Sequence, residues 1–342
     1  MTSPRFSVII PLTQLSYTLI FESLPALAKQ TYKKFEVLVL PNIHSQYDLT
    51  LLRQYPWLKI IPTGSITRPA EKRNMGAKNA HGEILAFIDD DAYPAKDWLE
   101  KANTLLTNKL SAACGPGVLP TQTNHWEKIF DQVLRTWFGS GNYLYRFAKQ
   151  KARYVDDYPS MNFLVKKDLF LKLGGFNRDY WPGEDSKLCE DIVYKEHEKI
   201  FYSPNIVTHH HRRKDLKGYL KQHANYGFHR GAFFAHGDKN SRRLSYLIPT
   251  IFVLYVVSLF FFILYSLFNA NIYHLISIIY YFPAFIYLFA VSYIFFLALL
   301  RTWSIRIAFG SVFVLFLTHI VYGIMFIKGF IKSLNNKNNI YG

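Results

Sequence analysis

Three adjacent carboxylates, Asp89-Asp90-Asp91, stand directly after the apolar run Ile84-Leu85-Ala86-Phe87-Ile88. Five apolar residues in succession suit a strand buried on both faces of a parallel sheet. The acids at its carboxyl end cannot continue into the core, because an unpaired buried carboxylate is too costly. In open α/β sheets, ligands bind outside the carboxyl ends of the strands. Hard carboxylate oxygens crowded there suit Mg²⁺ or Mn²⁺, and such ions usually arrive bridged to phosphates. Taken alone, the triplet would serve equally as an acidic turn ahead of the next helix, over 96–106.

Two further groups have residue types suited to chemistry. Glu184-Asp185 stands at the start of a helical stretch over 186–197. Acids at a helix start ordinarily serve the dipole and the cap. Beside a bound hydroxyl, one of them would instead act as a general base. His209-His210-His211 falls on a short strand, where side chains alternate, so two of the three share a side. With Arg212-Arg213 following, the run would also suit an exposed basic patch.

The elements that must position these groups alternate between strand and helix. Phe6–Pro11 reads as a buried strand stopped by proline, 15–30 as a helix, and Phe35–Leu40 as a second strand. A short helix follows over 49–55, then a strand over 58–61. Pro69–Asn79 reads as a helix with proline in its first turn, and Ile84–Ile88 as the fourth strand. Beyond the triplet come a strand over 112–118, an aromatic-rich helical excursion over 125–151, and a strand over 162–165. A helix over 167–173 precedes Gly174-Gly175-Phe176, and short strands are expected over 200–202 and 206–209. This alternation implies a parallel, right-handed, doubly wound sheet.

Charge divides the chain. All 24 acids lie at or before Asp238, and from Ser245 to Ile327 only Arg301 and Arg306 are charged. Three stretches, 246–268, 277–300 and 307–327, approach the roughly 20 apolar residues a bilayer requires. The expected division is therefore 1–212 as a soluble-type domain, 213–244 as a basic interfacial helix and linker, 245–331 as transmembrane helices, and 332–342 as a polar tail. The stretch 215–235, with Tyr219, Tyr226, Phe228, Phe233 and Phe234 among basic residues, has the make-up of a helix lying at a membrane surface. Arg242 and Arg243 before the first span put the front domain on the cytoplasmic side of a cell membrane, in a multi-pass chain. Lys328, Lys332 and Lys337 disagree unless the second span is split near Pro283. The net charge of +16 suits anionic lipid headgroups or a nucleotide diphosphate. No nucleic-acid motif accompanies it. Cys114 and Cys189 lack metal-type spacing, and a reducing compartment fits them. The short apolar run at 6–12 lacks the features of a signal peptide.

Taken in order, the motifs resemble the family-2 glycosyltransferases, inverting enzymes of the GT-A fold that use nucleotide-activated sugars. The resemblance rests on five features: Ser7-Val8-Ile9-Ile10-Pro11; Arg73-Asn74-Met75-Gly76; Ala80-His81-Gly82-Glu83 leading into the acidic triplet; Gly174-Gly175-Phe176 with Glu184-Asp185; and Val207-Thr208-His209. It covers roughly residues 5–212. It implies a nucleoside diphosphate sugar as donor and a divalent ion, Mn²⁺ or Mg²⁺, neutralising the leaving diphosphate. Asp91 would hold the metal, with His209 and His211 as further ligands. Asp89 would contact the ribose or base, and Asp90 could share either task. Asp185 would be the base, with Glu184 holding the acceptor or orienting its neighbour. Pro11, Arg73 and Asn42 would line the nucleotide, and Trp181 could stack on a sugar.

Two departures bear on specificity. The family usually places an acid after the second strand to read the nucleobase, whereas here the stretch is Leu40-Pro41-Asn42, which leaves the base open. The Gln-x-x-Arg-Trp signature of processive synthases is absent from Gln222-His223-Ala224-Asn225-Tyr226. The expectation is a membrane-anchored transferase of polysaccharide or glycan biosynthesis, acting on a lipid-linked or cell-surface glycan acceptor, with membrane lipids as neighbours and without nucleic acid. The competing expectation is a catalytically inactive domain that binds a nucleotide sugar or scaffolds a membrane complex.

Overall fold

The computed structural model describes residues 3–106, 110–180, 183–268 and 274–335. Residues up to 121 form one compact unit together with 145–211. Residues 122–144 group with those from 212 onward in a second.

Among the described residues, the first unit is built on eleven strands: β1 (Phe6–Pro11), β2 (Phe35–Leu40), β3 (Leu58–Ile60), β4 (Ile84–Ile88), β5 (Ala92–Pro94), β6 (Ala112–Cys114), β7 (Gly117–Val118), β8 (Arg153–Val155), β9 (Asn162–Lys166), β10 (Ile200–Tyr202) and β11 (Thr208–His210). Eight of them form one sheet in the order β3-β2-β1-β4-β9-β6-β10-β8; the other three form a small sheet, β5-β11-β7. The sheet is mostly parallel, as the alternation of elements implies. β9 and β8 run against their neighbours.

β1, β2 and β4 carry no polar stripe because both faces are covered. Val8, Ile9 and Ile10 are fully buried, and each such aliphatic side chain contributes roughly 1.5–3 kcal/mol. On one face Phe6, Val8, Ile10, Ile84, Ala86 and Ile88 pack with Leu24, Leu27, Trp98 and Leu99. On the other, Phe87 meets Phe170 and Phe176 edge-on or tilted, with ring centroids 5.3 and 5.0 Å away. The Pro69–Asn79 helix approaches that face so closely that a Cβ on Gly76 would lie 2.7 Å from Ile9 Cγ2.

The strand expected over 112–118 is divided. Its first part, β6, lies in the large sheet and its second, β7, in the small one. Gly115 stands between them, and a Cβ there would lie 1.9 Å from the Ile206 carbonyl oxygen. The junction is held by the buried Asn162 amide, which donates to the carbonyls of Gly115 and Ile206 and accepts from Trp98 Nε1. This division creates the small sheet, which matters for the site.

In the second unit, the His125–Leu134 helix starts on a capping box between Asn124 and Glu127, and Asp131 pairs with buried Arg212 at 2.8 Å. The helix expected over 215–235 spans Leu216–His236. It packs on the Ile305–Asn335 helix backbone to backbone. Cβ atoms on Gly227 and Gly231 would meet the carbonyl oxygens of Tyr322 and Phe326 at 2.4 and 2.1 Å. Small residues let helices approach in this way. Ile248–Phe268, Ser277–Thr302 and Ile305–Asn335 are each long and apolar enough to cross a membrane. Pro283 lies inside one continuous helix, His274–Thr302.

Candidate active site

The acidic triplet begins one residue after β4 ends, at the carboxyl edge of the sheet. The chain then enters β5, a strand of the small sheet. β5 pairs antiparallel with β11, with His210 opposite Ala92 and His209 opposite Tyr93. This register brings the end of β11 alongside the triplet. His210 Nε2 lies 3.1 Å from Asp91 Oδ1. Asp89, Asp91 and His210 each offer one ligand atom, all within 4.8 Å of one another. Two carboxylate oxygens and an imidazole at that spacing suit a divalent ion such as Mn²⁺.

The histidine brought to the acids is thus the middle one. His209 turns to the other face, as alternation along a strand requires. Its ring stacks on Tyr93 at 4.7 Å, and among the described residues its buried Nδ1 has no hydrogen-bond partner. Burial pulls its pKa below the ordinary range; Lys149 adds to this and Glu22 opposes it. His211 lies 2.9 Å from Glu22 through Nε2, and its backbone N–H donates to the Asp91 carbonyl. Alternation shows that neighbouring histidines face apart, but only the pairing register shows which one faces the triplet.

Arg73 connects this cluster to the second acidic pair. It is buried and donates to Asp89 at 2.7 Å and to Glu184 at 3.2 Å. Its buried Nε has no hydrogen-bond partner among the described residues. Burial opposes its charge, but Asp89, Asp185 and Glu184 outweigh burial and raise its pKa. The Glu184 carboxyl is pushed up to about 7 by burial and by Asp185, against the pull of Arg73. Burial likewise raises Asp185, with Arg73 opposing and Asp89 assisting. Among the described residues no hydrogen-bond partner reaches the buried Asp185 Oδ1, although hydrogen bonds from Ser160 to the carboxyl act to lower its pKa. A buried carboxylate with a raised pKa accepts a proton more readily than an ordinary aspartate does.

The rest of the Arg-Asn-x-Gly motif is accounted for as well. The Asn74 amide donates to the Phe176 carbonyl and accepts from the Phe176 N–H, both at 2.8 Å. It thereby clamps the Gly174-Gly175 turn, where both glycines have φ near +80°. One helix thus delivers Arg73 to the acids, Asn74 to the turn before Glu184, and Gly76 to the sheet.

Pro11 is buried at the end of β1, opposite Leu40 in register. Asn42 lies just beyond β2, and its side chain accepts a hydrogen bond from Lys72. Asp90 lies close enough to Lys72 to raise its pKa against the lowering effect of burial. Sequence reasoning passed over Lys72; its signal would have been a lysine on the sheet-facing side of an otherwise polar helix. Trp181 lies outside the described residues. A surface groove of about 720 Å³, lined by Asn74, Lys78, Gly175, Arg178 and Lys195 among others, shares no residue with the acid cluster.

The chain is similar to known proteins in sequence and in fold. Residues 7–174 match the model described as Glycosyl transferase family 2. The chain is 36% identical over 209 residues to the glycosyltransferase AglE of Haloferax volcanii, covering 56% of this chain and 64% of that protein. It is 25% identical over 146 residues to a glucosyl-dolichyl phosphate glucuronosyltransferase of the same organism, covering 40% of this chain and 46% of that one. The chain thus spans between about half and two thirds of the length of these relatives. A mannosyltransferase from Pyrobaculum calidifontis, solved with GDP-Man and Mn²⁺, matches with a TM-score of 0.60 at 20% identity, over 98% of this chain and 88% of that one. At that identity the likeness concerns the fold. With the motifs and the sheet in agreement, residues 7–174 are a glycosyl transferase family 2 domain, the first unit carries the GT-A fold, and three long apolar helices follow in the chain.

Proposed function

We propose that this protein transfers a sugar from a nucleoside diphosphate sugar, with inversion, to a lipid-linked acceptor at a membrane. The observation that carries the reading is the convergence of two sets of groups through one buried guanidinium. Arg73 joins Asp89, of the Asp89-Asp91-His210 group, to Glu184, of the Glu184-Asp185 pair. A transferase requires both sets, one for the leaving diphosphate and one for the incoming hydroxyl.

Asp89, Asp91 and His210 would hold the cation, which when bound supplies positive charge to the departing diphosphate. Asp185, through its open Oδ1, accepts the proton of the acceptor hydroxyl. Glu184 is held by Arg73, and burial and Asp185 raise its own pKa. The three long apolar helices and the lipid-phosphate acceptor in the name of one relative support a lipid-linked acceptor. Arg242 and Arg243, ahead of the first apolar helix, support a cytoplasmic site by the positive-inside rule.

The test is transfer in membranes carrying this chain. A panel of labelled nucleotide sugars is supplied with Mn²⁺ and polyprenyl-phosphate-linked acceptors. Label should enter the lipid fraction with the full chain and fall at least ~100-fold with Asp185→Asn. Retention of full transfer by Asp185→Asn would remove the base assignment. Absence of transfer with every donor, from folded protein that binds them, would favour an inactive binding domain.

A further inference from the structure

The last helix, Ile305–Asn335, is held along its length by segments that precede the first apolar helix in the chain. Near its start, Ser311 Oγ lies 3.5 Å from the Ile129 carbonyl oxygen, and a Cβ on Gly310 would lie 2.5 Å from Ile129 Cδ1. Midway, His319 Nε2 lies 2.9 Å from the Phe138 carbonyl oxygen. Near its end, a Cβ on Gly329 would run into the Phe228 carbonyl, and Lys332 Nζ stands 5.7 Å over the Phe228 ring. The helices that hold it are too polar for hydrocarbon, where charges are costly. His125–Leu134 carries Glu127 and Asp131, the latter paired with Arg212, and Leu216–His236 exposes Lys217 and Lys221. Both stay on the side from which the first apolar helix departs.

That departure point meets the same surface. Arg230 donates to Ser241 at 2.8 Å and stands 4.8 Å over the Tyr246 ring, just ahead of Ile248–Phe268. In the first turn of Ile248–Phe268, Thr250 donates to the Gly323 carbonyl at 3.4 Å. Gly323 lies about 27 Å along its own helix from Ile305, at 1.5 Å per residue. Three spans in series would start the first and third helices on one side, and would part these two points by nearly the ~30 Å of a hydrocarbon core. The first two apolar helices do form an antiparallel pair, with Phe252 on Tyr287 and Phe262 on Tyr280 at 4.3 and 4.1 Å.

The outer face of the last helix is a single stripe. Phe309, Phe313, Phe316, Ile324 and Ile331 are 40–62% exposed and share one side at about 100° per residue. Arg306, Lys328 and Lys332 fall along one flank of it. We propose that this helix does not cross the bilayer but lies along its surface on the Arg242-Arg243 side, its stripe at the acyl boundary and its cations at anionic headgroups. The chain then crosses twice, through Ile248–Phe268 and His274–Thr302. Lys328 and Lys332 come to the same side as Arg242 and Arg243, as the positive-inside rule requires, with the helix through Pro283 unbroken.

Sidedness is read on the full chain in sealed membrane vesicles of both orientations, with a membrane-impermeant maleimide and one variant at a time: Arg242→Cys, Phe268→Cys or Lys328→Cys. All three positions are exposed, whereas Cys114 and Cys189 are buried. Arg242→Cys and Lys328→Cys should label from one side and Phe268→Cys from the other, each by ~10-fold or more. Lys328→Cys labelling from the side of Phe268→Cys overturns the proposal, as does labelling of all three from one side. Depth gives a second reading. Nitroxides attached in Phe309→Cys, Phe316→Cys and Ile324→Cys should meet dissolved oxygen alike, within about twofold. A clear maximum in Phe316→Cys, the middle of a crossing helix, overturns it.

Discussion

Arg73 Nη2 lies 2.7 Å from Asp89 Oδ1, joining the helix before the fourth strand to the first acid after it. The other arm of the same guanidinium reaches Glu184 at 3.2 Å. The charge is buried and its partners are all carboxylates, so the ion pair also sets how much negative charge the cluster can hold.

Arg73→Gln should therefore lower both stability and activity. Removing one member of a buried ion pair typically costs about 3–5 kcal/mol, because the other is left uncompensated. Without the guanidinium, Glu184 and Asp185 lose the positive charge that lowers their pKa. A thermal melt in detergent should fall by several degrees, and any residual activity should shift to higher pH. An unchanged melting temperature would show that the charge is not needed to hold the cluster.

The acidic pair predicts a pH profile. The Glu184 carboxyl is pushed up to about 7 and Asp185 is also raised, so transfer should rise as pH climbs through about 7 and the acidic pair ionises. Glu184→Gln removes the group raised to about 7 and should move the midpoint to lower pH. Stability runs the other way. The folded pKa of Glu184 exceeds its unfolded value, so the folded state binds the extra proton. The stabilisation is complete below the unfolded pKa and is lost as pH rises through about 7. Melting temperatures across pH 5–8 should decline in the wild type and decline less in Glu184→Gln.

The histidine run should separate by function. Mn²⁺ with a bound nucleotide should raise the melting temperature of the wild type. His210→Ala and Asp91→Asn should remove most of that gain. His209→Ala should keep it, because its ring faces Tyr93 rather than the acids. Loss of the gain in His209→Ala with retention in His210→Ala would reverse the assignment.

The two glycines of the turn before Glu184 should differ when replaced. Both have positive φ, so alanine at either meets the left-handed penalty of about 1–2 kcal/mol. A Cβ on Gly174 would meet nothing within 4 Å, while one on Gly175 would lie 2.4 Å from Asn74 Oδ1. Gly175→Ala should therefore lower the melting temperature more than Gly174→Ala. It should also reduce activity by disturbing the Asn74 clamp. Equal shifts would show that Asn74 yields freely.

Much of this molecule was legible in its residues. The apolar runs of Val8–Pro11 and Ile84–Ile88 suited strands covered on both faces, and the acids after the second marked the end of a strand. The apolar stretches after Ser245 were equally plain, because length and composition are local properties. The Arg-Asn-x-Gly spacing marked a helix with work to do without revealing which residue served which partner.

Other features depended on pairing between distant segments. β9 enters antiparallel between β4 and β6, which an alternating pattern of strands and helices does not disclose. His210 rather than His209 faces Asp91 because β11 registers against β5 with His210 opposite Ala92. A shift of one residue would exchange the two histidines while leaving every local propensity unchanged. Lys72 and Asn42 lie 30 positions apart, and only the packing of a helix over the ends of two parallel strands brings them together. Apolar patterning acts through neighbours in the chain and is written there, whereas register and side-chain pairing are decided by groups that meet only after folding.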